Sequence, residues 1–197
     1  MSASHHHIVE ADILAPDIYA RERESRRRAL IPIKRNRRIE VGPFATFYFE
    51  NYETMWHQVH EMLHIERGGE QQIIDELDAY NPLIPQGDEL VATVMVEIEN
   101  PVQREATLAK LGGLENHIYL AVGGERVSGV PDPTRENTSD DGKASAVQFV
   151  KFPFTAAQKA KFRAAGTQVL CGIDHPNYGH MAVMPESVRA ALAQDFA

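Results

Sequence analysis

Apolar and polar residues alternate through "ELVATVMVEIE", which puts Leu90, Ala92, Val94, Val96 and Ile98 on one side of an extended chain and predicts a strand. "AVQFVKFPF" and "TQVLCGI" read the same way. "RRIEV" and "FATFYFE", broken by Gly42-Pro43, predict a short hairpin, and "HIYLAVGGERVSGV" predicts another around Gly123-Gly124. A helical period replaces the alternation elsewhere. Residues 16 to 31 form a charged helix with Pro16 in its first turn and Pro32 ending or kinking it. Asn51 caps a helix running to about Arg67, Gly68-Gly69 breaks it, and "EQQIIDELDAY" begins the next. "PVQREATLAKLGG", "TAAQKAKFRAAG" (capped by Thr155) and "PESVRAALAQDF" supply three more helices, while residues 131–143 read as a mobile loop. Helices and strands mix irregularly, without an internal repeat. The expected class is therefore α+β: an antiparallel or mixed sheet with packed helices and an N-terminal charged helix. The expected organisation is a flexible end and basic helical arm over residues 1–36, then one α+β domain over 37–197.

Composition narrows the setting. The chain has 197 residues, 43% of them hydrophobic, enough to bury a core without covalent staples. A single cysteine, Cys171, excludes an internal disulfide framework, and its alternation with Val169 and Ile173 makes it a buried strand residue. No apolar run approaches the ~20 residues of a membrane span, and no export signal is visible, which together suggest a bacterial-type cytoplasm. The net charge of −8 gives no overall attraction to nucleic acid. The charge is uneven, however. Arg21, Arg23, Arg26, Arg27, Arg28, Lys34, Arg35, Arg37 and Arg38 cluster in one stretch and leave the remainder strongly acidic. Such a stretch could meet phosphate, an acidic partner or the acidic body of this same protein; without interleaved aromatic residues it reads as a solvated helix face or an arm for docking a subunit, and a homodimer is compatible with it. His5, His6 and His7 read as a flexible or tag-like end.

One motif invites a sharper reading. His60-Glu61-Met62-Leu63-His64 is a literal H-E-x-x-H, the helical zinc motif in which two histidines bind the metal and the glutamate acts as base. On a helix, Glu53, His57, His60 and His64 share one stripe, apart from the apolar stripe of Tyr52, Met55, Val59, Met62 and Leu63. A zinc-dependent hydrolase would use His60 and His64 as ligands, Glu61 as base, and Asp75 or Glu76 from the next helix as third ligand. Against it, Arg67 stands where the longer metzincin pattern needs glycine. A di-iron site fails too, for want of a second E-x-x-H on a helix. The default is a polar flank set against a neighbouring element or water, with its imidazoles on the wet side and no cofactor.

A second polar cluster, "GIDHPNYGH", follows an apolar strand and reads as a loop stiffened by Pro176, where Asp174 beside His175 could orient an imidazole. Taken with "FENYETMWHQVHEMLHIER", "ELDAYNPLIP" and "AVQFVKF", it resembles a bacterial family of uncharacterised proteins, a domain of unknown function, from about Ala11 onward. The resemblance implies genes neighbouring rubrerythrin and an iron-sulfur oxidoreductase similar to heterodisulfide-reductase or glycerol-phosphate dehydrogenase subunits. That implies an accessory role in oxidative-stress or redox metabolism. It also implies that the histidines of the H-E-x-x-H are local to this chain. A common site would lie among Glu61, Glu66, Tyr80, Asn81, Asp174, His175, Asn177 and Tyr178. The expectation is an accessory or binding protein of such a module, with the zinc hydrolase as alternative; the residues do not decide whether it is an enzyme.

Overall fold

Alternating side chains build two facing sheets. The computed structural model describes residues 6–197; His5 of the histidine run lies outside the described residues. The chain begins with helix α1 (Pro16–Arg35), strands β1 (Arg38–Val41) and β2 (Ala45–Phe49), and helices α2 (Tyr52–Glu66) and α3 (Glu70–Tyr80). It continues through β3 (Glu89–Val96), α4 (Pro101–Leu108), β4 (Ile118–Val122), β5 (Glu125–Ser128), β6 (Val130–Pro131) and β7 (Val147–Pro153). It ends with α5 (Ala156–Arg163), β8 (Val169–His175), β9 (Tyr178–Val183) and α6 (Glu186–Leu192). One sheet has the order β1-β2-β3-β7-β6 and the other β5-β4-β8-β9. Every pairing is antiparallel, so the α+β class holds and the mixed-sheet option does not.

The main core lies between the sheets. Phe47, Phe49, Leu90, Val94, Val150 and Phe152 come from one sheet, and Leu120, Val122, Val169, Cys171 and Ile173 from the other. Each large side chain buried there contributes ~1.5–3 kcal/mol relative to exposure. Cys171 is fully buried, which pushes its thiol pKa up and removes it from thiolate chemistry. The opposite face of the first sheet carries a second, smaller core. Val91 meets Met55 and Val59 of α2 there, with Leu83, Ile84 and Ile8.

Local chemistry explains the helix starts. Asn51 Oδ1 accepts from the Thr54 N–H while Thr54 Oγ1 accepts from the Asn51 N–H, both at 3.0 Å. Thr155 caps α5 in the same reciprocal way with Gln158. Pro32 does not end α1, which continues through it to Arg35. Ile8 and two residues of α1 are tied to the rest. Ile8 is buried, with its N–H on Asn81 Oδ1 (2.7 Å), and Tyr19 and Leu30 of α1 are buried as well. Residues 131–143, expected to be mobile, are pinned by a Thr138–Ala144 bridge and by Asn137, whose carbonyl accepts from Gln148 Nε2.

"GIDHPNYGH" differs most from its expected form. It is a two-strand hairpin in which His175 faces Tyr178 across the Pro176-Asn177 turn, rather than a loop. Tyr178 reaches from this hairpin to the other sheet. Its hydroxyl accepts from the Phe44 and Ala45 N–H groups, each at 2.9 Å, and donates to the Val41 carbonyl at 2.8 Å. It therefore fastens the β1–β2 turn, where Gly42 sits at φ +71° and a Cβ would collide with the His180 ring. Among the described residues, no helix is long and apolar enough to cross a membrane.

Removing that hydroxyl strands three backbone groups. Tyr178→Phe is expected to lower the unfolding free energy by about 2–3 kcal/mol, read from denaturant titration with an unchanged slope.

Candidate functional site

The polar stripe of α2 faces α1. On α1, Tyr19, Arg23, Arg26 and Leu30 follow one another at steps of four, three and four, which is one helix face. On α2, His57, His60, Glu61 and His64 meet that face. His57 is 9% exposed and His60 2%, so these two imidazoles are not on a wet side of the helix. Glu61 and His64 are half-buried.

Each group has a defined partner. Arg23 grips Glu61 through two hydrogen bonds, Nε to Oε1 at 2.8 Å and Nη2 to Oε2 at 2.7 Å. Tyr19 donates its hydroxyl proton to Glu61 Oε1 at 2.8 Å. Having given that proton away, the Tyr19 oxygen accepts from His57 Nδ1 at 3.2 Å, which fixes the imidazole tautomer. His60 Nε2 accepts from the Leu14 N–H at 3.0 Å, so its proton sits on Nδ1 and goes to the Trp56 carbonyl at 2.7 Å. Trp56 Nε1 donates to the Asp12 carbonyl at 3.0 Å, and the Arg26 guanidinium lies over its ring, 4.7 Å from the centroid.

The electrostatics follow this geometry. The Arg23 guanidinium, helped by the Tyr19 hydroxyl and opposed by burial, pulls the Glu61 carboxyl down to about 2. Burial pushes the Tyr19 phenol up, and its bond to Glu61 adds to the shift. His57 and His60 are lowered, first by burial, so both are neutral at pH 7. A carboxylate so far below neutrality is a weak proton acceptor. The Glu61–Tyr19–His57 chain thus holds its protons in place.

The proposed zinc ligands do not converge. Both nitrogens of His60 are committed to backbone groups, and Glu61 is held by Arg23. Asp75 accepts from Gln71 (3.1 Å) and Glu76 from Gln72 (3.0 Å), each within α3. Among the described residues, no three His, Cys, Asp or Glu side chains are grouped to hold a metal ion.

The proposed shared-site residues also occupy separate places. Glu66 accepts from Gln72 Nε2 at 3.0 Å, joining α2 to α3. Tyr80 lines a cavity of about 360 Å³ between α2 and the first sheet, beside Glu50, Gln58 and Thr93. Asn81 clamps both backbone groups of Ile8. Asp174 pairs with Arg126 (2.7 Å) and His117 (3.1 Å) on the second sheet. His175 Nδ1 accepts from the Asn177 N–H, and Asn177 Nδ2 donates to the Lys110 carbonyl, so both stabilise the hairpin turn. Asp174 and Glu61 themselves share no partner: Asp174 holds Arg126 and His117, whereas Glu61 holds Arg23 and Tyr19. Sequence reasoning missed Tyr19 and placed Arg23 and Arg26 only within a general basic stretch. Their spacing on one face of α1 was the available signal.

Beside this network, α1 borders an open groove of about 1000 Å³ with β1 and β9. Arg27, Lys34 and Arg35 line it, and none of the three has an ion-pair partner among the described residues. The apolar residues Ile31 and Val183 are exposed along it at 64% and 60%. Arg37, by contrast, is buried and paired with Asp195, so the basic stretch is not uniformly a solvated face.

The sequence profile of a family described as "Protein of unknown function (DUF3501)" matches residues 7–196. The chain is similar to a crystal structure of a protein of unknown function from Burkholderia pseudomallei, with 38% identity and a TM-score of 0.89. That match covers 96% of this chain and 99% of the other. No curated protein matches the chain.

Two outcomes follow from the network. His60→Ala removes a buried ring and leaves the Leu14 N–H unpaired, so it should cost about 2–4 kcal/mol in denaturant unfolding. The pH profile carries a sign as well. His57 and His60 ionise less readily folded than at their ordinary 6.5, so their contribution is complete above 6.5 and declines as pH falls below it. Glu61 adds a second loss between about 4.5 and about 2. Thermal melts should show the first loss setting in as pH falls through about 6.5, reduced in His57→Gln, which cannot titrate.

Proposed function

From a chain that belongs to the DUF3501 family, whose function is unknown, we propose a binding or accessory role exercised through the basic groove beside α1. The observation that carries this reading is the contrast between two adjacent surfaces. On the α2 face, ionisable groups are spent on one another and on the backbone. In the groove, Arg27, Lys34 and Arg35 stand without counter-ions next to exposed Ile31 and Val183. Unpaired cations around apolar residues suit an acidic protein segment that carries its own apolar anchor. The groove is cationic although the chain as a whole is at −8, so long-range attraction is confined to this face.

The partner class comes from the family resemblance set out above. Rubrerythrin and the iron-sulfur oxidoreductase are the first candidates, which would make this chain an accessory protein in a redox or oxidative-stress module. The chain's own acidic remainder is a further electrostatic match, so self-association competes as an occupant of the groove.

Co-purification with each candidate at low and high salt tests the proposal. A complex is expected at low salt, weakened by added salt, and weakened at least tenfold in the Lys34→Glu/Arg35→Glu double variant. Absence of any complex, with no change in turnover of either candidate, overturns the redox role. Sedimentation of the chain alone identifies the case in which a second copy fills the groove.

A further inference from the structure

A second cleft, on the other side of α2 from the first sheet, carries its own chemistry. It has a volume of about 360 Å³ and lies between the start of α1, the end of α2 and the start of α3. Its wall is chiefly aliphatic, with Ile13, Leu14, Leu63 and Ile73 among its lining residues. Two nitrogen-rich side chains occupy the same wall, His64 and Arg67. The His64 ring packs edge-on against Tyr19, 6.0 Å between centroids, and makes no hydrogen bond among the described residues. Arg67 is exposed, with only a long 3.5 Å approach from its Nε to the His64 carbonyl.

Arg67 also has an unusual backbone. At φ +56° it is, among the described residues, the only non-glycine residue in the left-handed region. It occupies the helix-ending position where glycine is ordinarily preferred, although Gly68 and Gly69 follow immediately. Helix termination alone would favour glycine at position 67, since an L side chain there is strained. A side chain held in this strained conformation beside a cleft is a candidate for work done by the side chain. The start of α3 adds a compatible field: no side chain caps it, and its dipole favours negative charge. Glu70 also lines this cleft and opposes an anion from the solvent side.

We propose that this cleft binds a short aliphatic monocarboxylate, its chain against Leu14, Leu63 and Ile73 and its carboxylate on Arg67 and His64. The small volume favours a short chain over a full-length lipid tail. The aliphatic wall selects the body, and the Arg67 guanidinium offers a fork matched to a carboxylate. This site is independent of the partner groove proposed above.

Octanoate is the probe, with octanol as the uncharged control, followed by calorimetry and by NMR of the His64 ring. Octanoate should bind at least tenfold more tightly than octanol and should shift the His64 resonances. Arg67→Gly should lose at least tenfold in octanoate affinity while its melting temperature stays unchanged or rises, because glycine relieves the backbone strain. Arg67→Lys, which keeps the charge but loses the fork, should fall between wild type and Arg67→Gly in octanoate affinity. No octanoate binding to the wild-type chain at millimolar concentration overturns the proposal, as does undiminished binding by Arg67→Gly. Equal affinity for octanol and octanoate overturns the carboxylate assignment. None of these outcomes depends on whether a protein occupies the groove.

Discussion

The two-pronged bond from Arg23 to Glu61 governs how the N-terminal helix sits on the molecule. Glu61 lies in a partly dehydrated seam, where an unpaired carboxylate would be costly. Arg23 answers its charge, Tyr19 fills a remaining lone pair, and the Tyr19 oxygen then fixes the tautomer of His57. One ion pair therefore sets the register of α1 against α2 and, through Tyr19, the place of the His57 proton. Surface ion pairs contribute little by themselves. This one is different because it is built into a hydrogen-bonded chain between two packed helices, whose members depend on one another.

The same constraint shapes both open surfaces. With α1 anchored by its first half, its second half carries Arg27, Lys34 and Arg35 along the groove. On the other side, the approach of residues 13 and 14 to His60 closes part of the cleft that Arg67 borders. A motif that resembles a metal site thus serves as a mount. His60 shows this most directly, since a nitrogen already bonded to a backbone N–H has no lone pair left for an ion.

Much of the fold was legible in local pattern. Alternation at Leu90, Ala92, Val94 and Val96 located β3, and the caps at Asn51 and Thr155 located two helix starts, because these signals act over a few residues. The candidate site was legible only as a set of residue types. Tyr19 and Arg23 lie about forty residues from Glu61, and charged positions on a helix read as solvated unless their distant partner is known. Neutral histidines mislead for a related reason: they can be buried at little cost when both nitrogens are satisfied, yet they score as polar. The Asp174 segment shows a third limit. Polar residues at a two-residue hairpin turn look like a catalytic loop, although Asn177 and His175 are bonded to nearby backbone. Tyr178 could be found only by knowing that the two sheets face each other.

A double-mutant cycle on Arg23→Ala and Glu61→Ala, read as unfolding free energy, tests the central claim that this pair docks α1 as a coupled unit. The account predicts that the double variant loses clearly less stability than the two single variants summed, each single having left a charge without its partner. Strict additivity, with neither single variant differing much from wild type, would contradict it.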